Sequence, residues 1–237
     1  MGIINCTLMR TLLLLAIYVV LTLFVVPVLM ACACIGTSVP LFVCARFAVG
    51  LGRKILGLRL HLSGFVPQHS EKTFVFMPNH TSLLDGPLMF LLIPQRIRVI
   101  LKKEIFRLPV LGLAMRMAEF VPVDRKGKES GKKSIQKAVQ MIKEKKYSFL
   151  IFPEGTRSPD GRMQDFRRGG FFLALESQTD IVPVSIRNTF ALLPKGSFFV
   201  KKGIISVVFH PPVSLKGRTI DDILPLMKEV KKVILSG

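Results

Sequence analysis

The stretch PNHTSLLDG, residues 78–86, sets one of only four histidines five residues before an aspartate. An unperturbed imidazole titrates at about pH 6.5, so near neutrality it can take a proton from an alcohol once its tautomer is fixed. A carboxylate on the far ring nitrogen fixes it, and also stabilises the imidazolium as it forms. Spacing restricts how His80 and Asp85 can meet. On a continuous helix, residues five apart stand about 140° around the axis from one another. His80 therefore belongs on a turn between the apolar run TFVFM (73–77) and a helix starting near Ser82, with Asp85 in its first turn. Pro87 fits that placement, since proline is tolerated where helical N–H groups lack partners. The same residues also match a capping box, Ser82-x-x-Asp85, in which Asp85 merely starts the helix. Taken alone, this stretch supports both readings.

A second polar cluster, FPEGTRS (152–158), follows the apolar run SFLI. A strand that ends in Pro-Glu-Gly-Thr-Arg makes a tight glycine turn carrying an acid beside a guanidinium. The planar fork of arginine suits a phosphate, and backbone N–H groups in such a turn add donors. Read by itself, the turn also admits a surface Glu–Arg pair.

Together the two clusters carry a resemblance. NHTSLLD is similar to the first motif, and FPEGTRS to the third, of the glycerolipid acyltransferase family, the lysophosphatidic acid and glycerol-3-phosphate acyltransferases. FVPVDR (120–125) resembles the second motif and IVPVSI (181–186) the fourth, while LKKEIFRLPVLG (101–112) and FRRGGF (166–171) look like further family segments. The resemblance covers roughly residues 55–212, in the family's order. It implies that His80 is the general base toward the acceptor hydroxyl, with Asp85 orienting it. The substrate hydroxyl would replace the serine of a Ser-His-Asp triad, with direct attack on a thioester and no acyl-enzyme. Glu154, Gly155, Thr156 and Arg157 would shape the acceptor pocket, with Arg157 on the phosphate. Lys102 and Arg125 would complete the phosphate site, Asn79 would support the turn, and Pro183 would shape the fourth motif near the acyl donor. The implied reaction acylates the sn-2 hydroxyl of lysophosphatidate from acyl-CoA or acyl carrier protein, with neither cofactor nor metal. Glycerol-3-phosphate or another lysolipid is the alternative acceptor. A non-catalytic lipid-binding membrane protein is the reading from another class, which the intact His80, Asp85, Glu154 and Arg157 oppose.

The elements that must hold these residues alternate along the chain. Strands are expected at 58–62, 73–77, 97–101, 119–123, 148–152, 181–186 and 204–209. Helices are expected from 82 to 92, through FRLPVLGLAMRMA, around Ile135, Ala138, Val139 and Ile142, over GGFFLALES, and at the C-terminal MKEVKKVIL. The i, i+3, i+4, i+7 spacing of the central set gives one apolar helical face. This pattern predicts an α/β domain, with a mixed and mainly buried sheet flanked by helices, over residues 55–237. In such sheets, sites gather in the loops after strand ends.

Residues 1–54 differ in character. From Thr11 to Ala45 no Asp, Glu, Lys, Arg or His occurs in 35 residues, and one helical span needs about 20. Pro27, Gly36 and Pro40 divide this run in two, which predicts a two-helix membrane-anchoring hairpin rather than a cleaved signal peptide. Two spans and a shallow re-entrant pair both fit; the family resemblance favours the shallow form. Arg46, Arg53, Lys54 and Arg59 would keep the following domain on the cytoplasmic face. All four cysteines lie in or beside this segment, so the globular part can form neither a disulfide framework nor a cysteine-based zinc site.

Half of the chain is hydrophobic, yet its formal net charge is +19. Residues 96–146 hold fifteen Lys/Arg against five Asp/Glu. A basic face of this kind attracts anionic membrane lipids, at about 1 kcal/mol per surface residue, and steers a negatively charged acyl donor. Nucleic acid is excluded as the partner: no nucleic-acid motif occurs, and for stacking there are only two Tyr and no Trp.

Overall fold

The computed structural model describes residues 8–20, 26–27, 39–65, 72–124 and 127–237. The expected phosphate ligand Arg125 lies outside the described residues, as do Gly36 and three of the four cysteines; Cys44 is free.

Seven strands form one sheet in the order β1-β7-β6-β2-β5-β3-β4. They are β1 (Leu58–Gly64), β2 (Val75–Pro78), β3 (Ile97–Lys102), β4 (Val121–Val123), β5 (Ser148–Leu150), β6 (Ile181–Arg187) and β7 (Gly203–Phe209). Every neighbouring pair is parallel except β6–β7. The sheet is thus mixed, and its central strands read as nearly unbroken apolar runs because both of their faces are covered. Side chains alternate between two cores. Phe76, Leu150, Val182, Val184 and Ile205 enter one, with Leu88 and Met89. Val75, Met77, Phe149 and Ile181 enter the other, with Ala138, Phe171, Leu173 and Leu226.

Helices cover both faces. Residues 8–20 (α1) are helical, followed by α2 (Val39–Ile55), α3 (Asp85–Leu92), α4 (Pro109–Met117), α5 (Lys128–Lys145), α6 (Gly169–Ser177), α7 (Thr189–Leu192) and α8 (Ile223–Ser236). On α5, Ser134, Ala138, Val139, Met141 and Ile142 are buried, while Lys132, Lys133 and Lys137 face solvent. Helix α6 has the bounds the sequence predicts.

Three local expectations change. The helix after the first motif begins at Asp85 rather than Ser82. The segment expected as one helix splits into a 3-10 turn, Lys103–Arg107, and α4. Pro109 is the reason: a residue before proline is driven out of the helical region, and Leu108 is extended with ψ 129°. Helix α7 was not foreseen.

No helix among the described residues is long and apolar enough to cross a membrane. Much of the apolar N-terminal run (21–25 and 28–38) lies outside the described residues. Its last part, α2, is fastened to the sheet layer. Phe42 stacks on Phe90 with centroids 5.6 Å apart, and Arg46 Nη2 donates to the Ile93 carbonyl at 2.7 Å.

Candidate active site

The five mutually parallel strands β2, β3, β4, β5 and β6 end on one edge of the sheet, and the first and third motifs follow the ends of β2 and β5. Strands β2 and β5 are neighbours, with Val75 opposite Phe149 and Phe76 opposite Leu150. That offset of 74 residues persists beyond the strand ends, where the His80 N–H donates to Glu154 Oε1 at 2.6 Å. Pairing of these two strands is therefore what brings the first and third motifs together. Extending the same registers across β5 and β3 sets Asn79, Pro153 and Lys102 at one level of the sheet edge.

His80 occupies the turn, as the spacing requires. Its Nδ1 lies 3.0 Å from Asp85 Oδ2. An ionised carboxylate only accepts, so Nδ1 carries the hydrogen and Nε2 is left with a lone pair. The same Oδ2 accepts the N–H groups of Thr81 and Ser82, both at 2.8 Å. Asp85 is fully buried, His80 is about one-fifth exposed, and the imidazole stacks on Phe152 at 3.9 Å between centroids. The capping box forms by half only. Asp85 takes the Ser82 N–H, but Ser82 Oγ donates to the Leu193 carbonyl at 2.8 Å instead of capping Asp85. A second hydroxyl of this turn is also engaged, with Thr81 Oγ1 3.0 Å from Thr189 Oγ1. Short helix α7 thereby buttresses the turn from below.

Asn79 supports the turn from the other side. Its amide accepts the Ile186 N–H at 2.7 Å and donates to the Ile186 carbonyl at 2.9 Å, imitating one more residue of β-ladder against β6. Pro183 is buried inside β6, where the ladder to β7 breaks off. Its carbonyl accepts the His210 N–H at 3.0 Å, but proline has no N–H to return. Pairing resumes only at the isolated bridge between Ile181 and Val213.

The FPEGTRS turn holds residues of three kinds. Glu154 is only 2% exposed, and burial pushes its carboxyl above the usual range against the opposing pull of the Gln164 and His80 N–H groups. Gly155 adopts φ +72°, a conformation that strains other residues, and a Cβ there would stand 2.7 Å from Arg167 Cδ and push that side chain aside. Thr156 is exposed and Arg157 half-buried, and among the described residues no carboxylate pairs with the Arg157 guanidinium. Lys102, exposed at the end of β3, is likewise unpaired among the described residues, whereas its neighbour Lys103 is neutralised by Asp124. Arg187, exposed at the end of β6, likewise has no carboxylate partner among the described residues.

Sequence reasoning missed four residues that the fold brings to this site: Phe152 beneath the imidazole, Ser158 and Gln164 tied to the turn, and Arg167 across Gly155. Phe152 and Ser158 stood within the quoted motif, and Arg167 within FRRGGF, but nothing in their types foretold these contacts. Among the described residues no group of His, Cys, Asp and Glu could hold a metal ion.

Comparison with known proteins identifies the family. A sequence profile of the Acyltransferase family matches residues 59–187. A 1-acyl-sn-glycerol-3-phosphate acyltransferase of Limnanthes douglasii is 34% identical over 184 residues, which cover 78% of this chain and 65% of that one. The alpha form of that enzyme from Mus musculus is 29% identical, covering 86% of this chain and 72% of its own length. The chain thus spans just under two thirds of the Limnanthes relatives. Among solved structures, the 1-acyl-sn-glycerophosphate (LPA) acyltransferase PlsC from Thermotoga maritima superposes with a TM-score of 0.78 at 25% identity, over 99% of this chain and 95% of that one. The profile match spans more than half of the sequence and contains both polar motifs, so the chain belongs to the Acyltransferase family.

Proposed function

We propose that this chain transfers a fatty acyl group from an acyl thioester, acyl-CoA or acyl carrier protein, to the sn-2 hydroxyl of lysophosphatidate, forming phosphatidate. The observation that carries the reading is the His80–Asp85 pair, with Nδ1 held at 3.0 Å and Nε2 free to act as a base. In the reaction, Nε2 takes the hydroxyl proton while that oxygen attacks the thioester carbonyl. The carbon–sulfur bond then breaks, and the imidazolium returns its proton to the leaving thiolate. Asp85 stabilises the transient imidazolium and keeps the reactive tautomer in place. No step calls for a cofactor.

Arg157 and Lys102 bind the acceptor phosphate, with Arg125 as third ligand, and Gly155 and Thr156 line its approach. The names of the relatives support lysophosphatidate as acceptor. Glycerol-3-phosphate remains the comparison substrate.

The N-terminal helices rest on the membrane, with the catalytic domain on its cytoplasmic face. Val39, Val43 and Phe47 repeat every four residues on one side of α2, each more than 60% exposed. Leu83, in the active-site turn, is 60% exposed as well. Apolar side chains in such a stripe gain about 25 cal/mol per Å² when a bilayer covers them. Lys54, exposed in the last turn of the same helix, suits anionic headgroups.

The test supplies purified protein with lysophosphatidate or glycerol-3-phosphate and with acyl-CoA or acyl carrier protein, following thiol release and product identity. Phosphatidate formation that H80A abolishes supports the reading. Transfer by H80A at the wild-type rate overturns it.

A further inference from the structure

We propose that Glu154 is a positioning residue for His80, holding the base through its backbone rather than binding the acceptor. This inference rests on His80 being the general base.

Both carboxylate oxygens of Glu154 are already engaged. Oε1 accepts the His80 N–H at 2.6 Å and Oε2 the Gln164 N–H at 2.8 Å. At 2% exposure the side chain presents almost no surface to a substrate. A carboxylate turned toward an anionic phosphate would also be repelled, with burial strengthening the repulsion.

The loop that carries Glu154 grips His80 at two further points. The Ser158 N–H donates to the His80 carbonyl at 2.9 Å, so both polar backbone groups of His80 end in the same segment. Phe152 packs flat against the imidazole, with 24° between the rings. The loop is closed on itself, because Gln164 Nε2 donates to the Thr156 carbonyl at 3.1 Å and the Arg167 N–H to the Pro153 carbonyl at 2.7 Å. With Nδ1 held by Asp85, only Nε2 of His80 remains uncommitted. A base must be held to within about 0.5 Å of its productive place, and a turn between strand and helix cannot ensure that by itself. Glu154 links the turn to the strand-end loop that shapes the acceptor site.

The test compares wild type, H80A, E154A, E154Q and E154D in steady state with lysophosphatidate and acyl-CoA. Glutamine keeps an oxygen at the right reach without charge, whereas aspartate keeps the charge but falls one methylene short. Positioning predicts that E154A and E154D lose about 10- to 100-fold in kcat, with the acceptor KM within about twofold of wild type. It further predicts that E154Q exceeds E154D in kcat, and that the His80 imidazole resonance shifts in E154D but not in R157A. If E154A does not fold, the order of E154Q and E154D decides. A raised acceptor KM at unchanged kcat, or E154D outperforming E154Q, overturns the inference. Wild-type inactivity or an active H80A strikes the proposed reaction instead, so the two failures are distinguishable.

Discussion

Asp85 Oδ2 accepts three hydrogen bonds, one from the His80 ring at 3.0 Å and two from the Thr81 and Ser82 backbone at 2.8 Å. A single buried oxygen thus folds the turn and fixes the imidazole. Orienting the base and shaping the turn that leads into α3 are here one act, because the turn brings the Thr81 and Ser82 N–H groups to where the carboxylate must lie to reach His80.

D85N separates these effects from those of H80A. In D85N the amide either turns its NH2 to the ring, which favours the wrong imidazole tautomer at a loss on the order of 10⁴ in kcat, or keeps its oxygen at the Oδ2 position and buries the NH2 where Oδ1 has no partner. Either placement leaves buried N–H groups unpaired. Removing the base in H80A should cost about 10²- to 10⁴-fold with the fold retained. D85N should also melt lower, since buried N–H groups left unpaired cost about 1–3 kcal/mol each. Calorimetry beside the acyl-transfer assay checks both; equal melting temperatures for the two variants would contradict the shared role of Oδ2.

R157A and K102A should act on the acceptor. Losing a charge-assisted contact to phosphate costs about 1.5–3 kcal/mol, which is about 10- to 100-fold in KM at nearly constant kcat. K103A serves as the control, because Lys103 is already paired with Asp124. Initial rates across a series of lysophosphatidate concentrations distinguish them.

G155A should destabilise the folded chain. An alanine held at φ +72° costs about 1–2 kcal/mol, and its Cβ would displace the Arg167 side chain. For a chain of this size each kcal/mol lowers Tm by about 2–4 °C. An unchanged melting curve would mean that the turn relaxes at no cost.

Glu154 should make stability fall as pH rises from the ordinary carboxylate range. Burial raises its folded-state value above that of the unfolded chain. The unfolded state therefore releases its proton first, and the native state carries a growing desolvation penalty until its own carboxyl ionises. E154Q removes this titration, so its stability relative to wild type should improve with pH over that window. Paired denaturation curves at several pH values test the sign.

V43E and F47E on α2 should weaken adhesion to anionic vesicles without altering the fold, because both side chains are more than 60% exposed. Vesicle sedimentation measures it. Undiminished binding would remove this face of α2 from the membrane surface.

Much of the architecture is legible from local pattern. The bounds of α6, the apolar face of α5 and the central strands follow from periodicity, since burial on one or two faces dictates which side chains recur. The break at Leu108 was written in Pro109, yet the apolar spacing on either side of it reads as one helix. Helix α7 has four residues, too few for any period to declare itself.

The sequence by itself determined the chemistry on offer: a histidine that must leave the helix to meet Asp85, a glycine turn bearing an acid and a guanidinium, and apolar runs to carry them. The tertiary structure decided which groups those residues serve. Glu154 turned inward to His80 and Gln164, Ser82 was drawn off to Leu193, and Lys103 was taken by Asp124 while Lys102 has no ionic partner among the described residues. Those choices depend on residues as far as 111 positions apart in the chain. Strand order and register are set by how two cores close on both faces of the sheet, a condition no short stretch of sequence contains.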